Sequence, residues 1–363
     1  MRRIVILSFA VVFLAGSAAS LQAFPFPYTD ARALGMGGAY VANGSGAASV
    51  NYNPAALLSG GRIEIVVPNL NVRVDDHGGL VDVVDQIGNL DAGIPAEAAQ
   101  IAGLLTGIDG DAVDLVGYAT ATLGMNFPGI GVAFGYSDLI DASVQAIVGS
   151  TNIAAPAATL FYGALEGQQV VITAAKDFGG VKIGANLRQV ESTTYFNVED
   201  LLTAPDIDLD AVTEGVEVED DFTAIDVGIL VSLTPLLEVG LVGRNVNEPE
   251  FDTFISTEQI EARYRAGAAL DLAALRIVAD MDLTEVESFS GTKYQEVAVG
   301  AEFKLPVLAL RAGISQNSAE SGDPTLLHAG VGLGFPVLKI DIGGMMGDSG
   351  DFYAAGANLT LEF

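Results

Sequence analysis

From residue 62 to the C-terminus, apolar positions recur with a period of two, the mark of strands that present one apolar face. The last segment is the clearest. Tyr353, Ala355, Ala357, Leu359, Leu361 and Phe363 alternate with Phe352, Ala354, Gly356, Asn358, Thr360 and Glu362. Leu275, Ile277, Ala279 and Met281 likewise stand opposite Arg276, Val278, Asp280 and Asp282. Tight turns join such segments at Phe127-Pro128-Gly129, 177–180, Thr234-Pro235, 271–274, Leu305-Pro306 and Phe335-Pro336. Proline cannot donate to a ladder and glycine tolerates positive φ, so both belong in the turns. Six hairpins, with a first strand over 62–74 and a last over 351–363, predict about 14 strands with both ends on the turn side.

Longer segments alternate with these turns along the whole chain. Residues 75–114 hold nine acidic residues and no Lys or Arg, with helix-like pieces at 80–90 and 95–105. Residues 198–221 hold ten acidic residues and again no base. Basic residues fall on the polar strand faces instead: Lys182, Arg188, Arg244, Arg263, Arg265, Arg276, Lys304, Arg311 and Lys339. A soluble sandwich would also alternate, but with its polar face in water. Here the polar faces mix glycine with isolated charges of both signs, which suits a crowded lumen. Short turns alternating with long insertions complete the pattern of an all-β, transmembrane antiparallel up-and-down β-barrel. Its aromatic girdles must use Tyr and Phe, because the chain has no Trp.

Composition fits that reading. Half the residues are apolar and 43 are glycine, yet the formal charge is −30. Arg2 and Arg3, the apolar run 4–14 and the small residues 15–20 form a secretory leader, with cleavage expected after Ala23 or else after Ser20. Without Arg2 and Arg3 the 16 basic residues fall to 14 against 46 acidic, a formal −32, which repels nucleic acid. No Cys is present, which excludes disulfides, thiolate metal sites and a lipid-modified cysteine. The chain therefore divides into a leader (1–23), an irregular glycine-rich segment (24–61) and a barrel (62–363) with acidic outer insertions at 75–114 and 198–221.

The segment "ARALGMGGAYVANGSGAASVNYNPAAL" (31–57) resembles the plug, or hatch, of FadL-type outer-membrane barrels. That superfamily includes PorV-like secretion-accessory barrels and TraF-like conjugal-transfer proteins. The shared pattern is "LGMGGAY" (34–40) followed by Asn53-Pro54-Ala55. "GLVGRNVNEPEF" (240–251) and "VGAEFKLPVLALRAGIS" (299–315) look more like the PorV and TraF-like branch. The resemblance implies a 14-stranded barrel closed by its N-terminal segment, a bacterial outer-membrane location with periplasmic termini, and Gly35, Gly37, Gly38, Asn53, Pro54 and Ala55 as plug or gate residues. Terminal Phe363 resembles the assembly signal of such barrels. In FadL-type members, small hydrophobic molecules such as long-chain fatty acids pass inward and leave through the wall. The PorV and TraF-like kind instead implies a barrel that anchors exported protein partners. Both readings stay open, as does whether the plug gates or only seals.

No residue set resembles an active site, and no cofactor is expected. His77 and His328 lie far apart, without metal or triad spacing; a loop place is expected for the first and a lumen place for the second. "GVGLGF" (330–335) opens no helix, so it is not a dinucleotide loop. Asp206, Asp208, Asp210, Glu214 and Glu217 occupy positions 1, 3, 5, 9 and 12 of a calcium loop. Ala211 stands where the turn requires glycine, so a loop-bound divalent cation competes with a plain solvated loop there. Acidic outer loops could also meet the cation-bridged lipopolysaccharide beside the outer-membrane lipid. The lumen charges Arg263, Arg265, Arg276, Asp280, Glu302 and Arg311 either pair across strands or line a path for an anionic ligand.

Overall fold

The computed structural model describes residues 30–363 except 153, 204–206, 208–210, 212–214, 253–256, 288–292, 320–323 and 349–351. The expected leader, the first residues of the plug and Asp206, Asp208, Asp210 and Glu214 lie outside the described residues. Glu217 belongs to a strand, paired with Tyr195, rather than to a loop.

Fourteen strands among the described residues close into one barrel. They are β1 (Ile63–His77), β2 (Ala112–Phe127), β3 (Ile130–Ser150), β4 (Ala157–Asp177), β5 (Val181–Asp200), β6 (Val216–Thr234) and β7 (Leu237–Arg244). The circuit continues with β8 (Arg263–Leu272), β9 (Leu275–Asp282), β10 (Glu296–Lys304), β11 (Leu308–Asn317), β12 (Leu326–Gly334), β13 (Leu338–Gly347) and β14 (Phe352–Glu362). Each strand pairs antiparallel with its chain neighbours, and β14 closes on β1 with Ile65 opposite Leu361. All six expected hairpin turns fall between consecutive strands. Closure leaves no edge, which is the condition for strands to span lipid.

The alternation sorts the side chains as expected. Ile277, Met281, Leu310, Ile314, Leu327, Val331, Ile342 and Tyr353 face outward, while Asp280, Glu302, Arg311 and Asn358 are buried inside. Phe127, Phe178, Phe303, Phe335 and Phe363 are exposed at the turn end, and Tyr136, Tyr264 and Tyr353 nearer the other end. Tyr353 and Phe363 share one outward face, so about 33 Å of strand separates them. At a typical tilt that is roughly 25 Å of height, the thickness of a barrel's apolar band. Phe and Tyr thus form the girdles.

The barrel is taller on one side, because β3 and β4 have 21 residues each while β7 and β9 have eight. Strands accordingly run into both acidic insertions, β1 to His77 and β5 to Asp200, and Asp75 and Asp114 are buried barrel residues paired across β1 and β2. Loop boundaries read from charge missed this, since a lumen-facing carboxylate and a loop carboxylate look alike in sequence. Two helices fill the first insertion: α1 (Leu80–Gly88) and α2 (Pro95–Leu105). Leu80, Val84 and Ile87 bury one face of α1 against Ile101 and Leu105 of α2 and against Val144, Leu160 and Tyr162 of the raised wall.

Candidate functional site: the plugged lumen

Residues 30–59 fill the lumen, and nearly all of them are buried. The segment is built from a four-residue helical turn (Ala31–Leu34) and two 3-10 turns (Gly46–Asn51 and Pro54–Ser59). Asp30 Oδ1 accepts the amides of Arg32 (2.8 Å) and Ala33 (3.1 Å), capping the first turn. Asn53 Oδ1 accepts the Ala55 amide at 3.1 Å, and Pro54 occupies the next position, where a missing N–H is harmless.

Backbone meets backbone where the plug crosses the wall. Gly300 and Gly313 stand opposite each other on β10 and β11, and a Cβ on either would collide with Met36 or Gly37. Gly330 and Gly343, paired on β12 and β13, face Gly35 and the Ala31 carbonyl; a Cβ on Gly35 would lie 2.9 Å from Gly330 Cα. Gly184 and Gly228, paired on β5 and β6, give the same room to Asn53, Pro54 and Ala55. Gly37 also has a φ of 75°, a conformation closed to most side chains. Of the predicted plug residues, Gly35, Gly37, Asn53, Pro54 and Ala55 therefore meet the wall at paired lumen glycines.

Side chains then fasten the plug around the ring. Asn53 Nδ2 donates to the Val41 carbonyl at 2.9 Å and the Ile229 carbonyl at 3.1 Å. Asp280 Oδ2 accepts the Tyr40 and Val41 amides at 2.7 and 2.9 Å. Glu64 accepts the Ala47 and Gly61 amides, both at 2.7 Å. Asn186 Nδ2 donates to the Val50 carbonyl at 2.8 Å. His328 Nδ1 lies 2.8 Å from the Leu34 carbonyl, which can only accept, so Nδ1 carries the proton and Nε2 takes the Ser315 hydroxyl at 2.9 Å. His328 thus holds the expected lumen place, as a plug anchor, whereas His77 ends β1.

Charges are paired across the lumen. Arg265 reaches Glu296 (2.9 Å), Asp282 (3.4 Å) and Asp280 (3.7 Å). Glu302 receives Arg311 at 2.7 Å and Arg32 of the plug at 2.9 Å, and Arg311 continues to Asp341 at 2.7 Å. Arg276 pairs with Asp271 and donates to Asn43 of the plug at 2.9 Å. Arg263 is placed apart, on the outer side of the plug. Sequence reading missed Arg32, Glu64 and Asn186. Each acts on a residue distant in the chain, so only their inward phase could have marked them.

The plug separates two cavities. A polar one of about 430 Å³ at the turn end is lined by Arg32, Ser45, Ser59, Arg276, Glu302, Lys304 and Lys339. A smaller one of about 60 Å³ on the loop side is lined by Asn51, Tyr118, Phe222 and Arg188 among others. No group of metal-binding side chains occurs among the described residues.

Over residues 50–282 the sequence matches the family described as F plasmid transfer operon, TraF, protein. The chain belongs to that family. No functionally curated protein matches it significantly. Among solved structures it is similar to the toluene transporter TbuX of Ralstonia pickettii, at 13% identity and a TM-score of 0.62, over 94% of this chain and 100% of that one. A FadL homologue of Pseudomonas aeruginosa is 12% identical with a TM-score of 0.57, over 93% and 99% of the two chains. The monoaromatic hydrocarbon channel CymD is 13% identical with a TM-score of 0.57, over 94% and 99%. This member of the TraF family therefore has the FadL-type outer-membrane barrel fold, as the plug motif implied.

Proposed function

We propose that the chain is a FadL-type outer-membrane channel for small hydrophobic molecules, with the N-terminal segment as its gate, and that it performs no catalysis. The observation that carries this reading is the nature of the plug's seal. Backbone lies against glycine backbone, apolar contact with the wall is split into separate patches around Leu230 and Val278, Leu326 and Met345, and Ala133 and Ala175, and polar side chains such as Asn53 and Asp280 supply the directional fastening. Long-chain fatty acids are one substrate class consistent with the fold; monoaromatic hydrocarbons, named for the similar structures, are another. The wall supplies an exit candidate: β1 leaves register with both neighbours between Val66 and Asn69, around Val67 and Pro68. Val67 and Leu70 face outward there.

In this reading the leader is cleaved, both termini are periplasmic, and the acidic insertions face the lipopolysaccharide. Uptake of labelled toluene and labelled oleate into cells with and without the gene tests it. Gene-dependent uptake of either supports transport, and equal uptake of both contradicts it.

A second reading rests on one observation, the closed state of the lumen. The plug is locked by the Arg32–Glu302 ion pair and by side-chain hydrogen bonds from the wall, and β2, β3 and β4 pair without interruption from Phe127 to Ala112 and from Ile130 to Val148. Such a barrel also suits an anchor for exported proteins, with α1 and α2 as its outer surface. Cross-linking through 75–114 that recovers an exported partner, with unchanged uptake, would select this reading.

A further inference from the structure

Lys304 ends β10 and Arg276 lies near the start of β9, and both line the polar cavity of about 430 Å³ on the turn side of the plug. Arg32 of the plug and Lys339 of β13 line it too. Like charges crowded together repel unless carboxylates answer them. The Lys304 side chain is 39% exposed, and Arg276 and Arg32 lie in its field as like charges. The two carboxylates in that field are both engaged by arginines. Glu302 takes Arg311 at 2.7 Å and Arg32 at 2.9 Å, and reaches Lys304 only at 3.5 Å. Asp271 is paired with Arg276, and Glu362 with Lys339. The other flank of the cavity is apolar, formed by Leu305, Pro306, Val307 and Leu308 of the β10–β11 turn. Leu305 and Val307 are exposed there, level with Phe303 and Phe335 of the turn-end girdle. A cationic pocket thus opens beside apolar residues at the edge of the lipid band.

We propose that this cavity is a phosphate site, in which Lys304 and Arg276 hold the phosphate oxygens and any attached acyl chains lie over the β10–β11 turn. A guanidinium matches a phosphate through its fork of N–H groups, and an ammonium matches it as a point charge. The bound anion offsets the repulsion around Lys304. Inorganic phosphate and the headgroup of a lipid in the leaflet at the turn end share this chemistry, and the apolar turn favours the lipid. The site stands whether the barrel transports or anchors, because it lies at the opposite end of the lumen from the loop-side cavity and the helical insertion.

Calorimetry on the full chain in neutral detergent tests it, with inorganic phosphate, dihexanoyl phosphatidic acid and dihexanoylglycerol as probes. Dihexanoyl phosphatidic acid should bind well and dihexanoylglycerol, which lacks the phosphate, weakly. Lys304→Gln should weaken the phosphatidic acid by about tenfold. Lys176→Gln should leave it unchanged, since Lys176 lies outside the cavity at the same end, over the Phe178 ring. Lys304-dependent binding of inorganic phosphate assigns the site to the free anion; binding of the phosphatidic acid alone assigns it to lipid headgroups. Equal binding of phosphatidic acid and dihexanoylglycerol to the unaltered protein overturns the site. So does wild-type affinity in a Lys304→Gln barrel that still shows heat-modifiable migration, or an equal loss in Lys176→Gln. Should Lys304→Gln not fold, the comparison of the two lipids decides by itself.

Discussion

Arg32 of the plug grips Glu302 of β10 through two bonds, Nε to Oε2 and Nη2 to Oε1, each 2.9 Å long. Glu302 is almost wholly buried and also holds Arg311 at 2.7 Å, so one carboxylate joins the plug to the wall. Its loss and the loss of Arg32 should differ. Glu302→Gln leaves Arg32 without a counter-charge and Arg311 with Asp341 alone, and should loosen the plug by about 3–5 kcal/mol. Arg32→Ala leaves Glu302 paired with Arg311 and should cost only about 1–2 kcal/mol. Hydrogen exchange of the plug amides measures both, and equal losses of protection would contradict this ranking.

Asn53 combines a cap with two tethers. Asn53→Ala removes the bonds to Ala55, Val41 and Ile229 and should weaken plug docking by about 2–3 kcal/mol. Asn53→Asp keeps the cap but loses both donations, so it should fall between. Single-cysteine labelling of the plug reports this cleanly, because the chain has no cysteine of its own. Labelling rates ordered wild type, Asp, Ala are expected; an Asp variant as protected as wild type would show that the tethers carry little.

Wall glycines divide into those the plug touches and those it does not. Gly300→Ala places a methyl group against the Met36 carbonyl, whereas an added Cβ at Gly334 meets nothing within 4 Å. Gly300→Ala should displace the plug and raise single-channel conductance and sensitivity to bulky antibiotics. Gly334→Ala should leave both unchanged. Matching behaviour of the two variants would mean that backbone contact does not make the seal.

How much of this was legible in the sequence follows from range. Two-residue alternation is local, so the strands, the hairpin turns and the outward faces could be read from Tyr353–Phe363 or Leu275–Asp282 alone. Asn53 was marked by the local motif Asn53-Pro54-Ala55, whereas its capping role emerges only from the structure. The Arg32–Glu302 pair joins residues 270 positions apart, and no spacing along the chain announces it. Strand ends at His77 and Asp200 were misread because a charge count does not distinguish a lumen carboxylate from a loop carboxylate. Arg263 was recognised as a lumen charge, but its separation from the paired carboxylates appears only when β7 and β8 are laid side by side.

The central claim is that the plug must move for hydrophobic molecules to pass. Gly124 on β2 and Ala47 of the plug offer a lock, since a Cβ on Gly124 would lie 3.0 Å from the Ala47 Cβ, and a shift of about half an ångström brings the pair into disulfide range. The decisive measurement is uptake of labelled toluene and labelled oleate by cells carrying Ala47→Cys with Gly124→Cys, oxidised and then reduced. Uptake of at least one compound should fall to the level of cells lacking the gene when oxidised and recover on reduction. Uptake of both that is the same in the oxidised and reduced states would contradict the account.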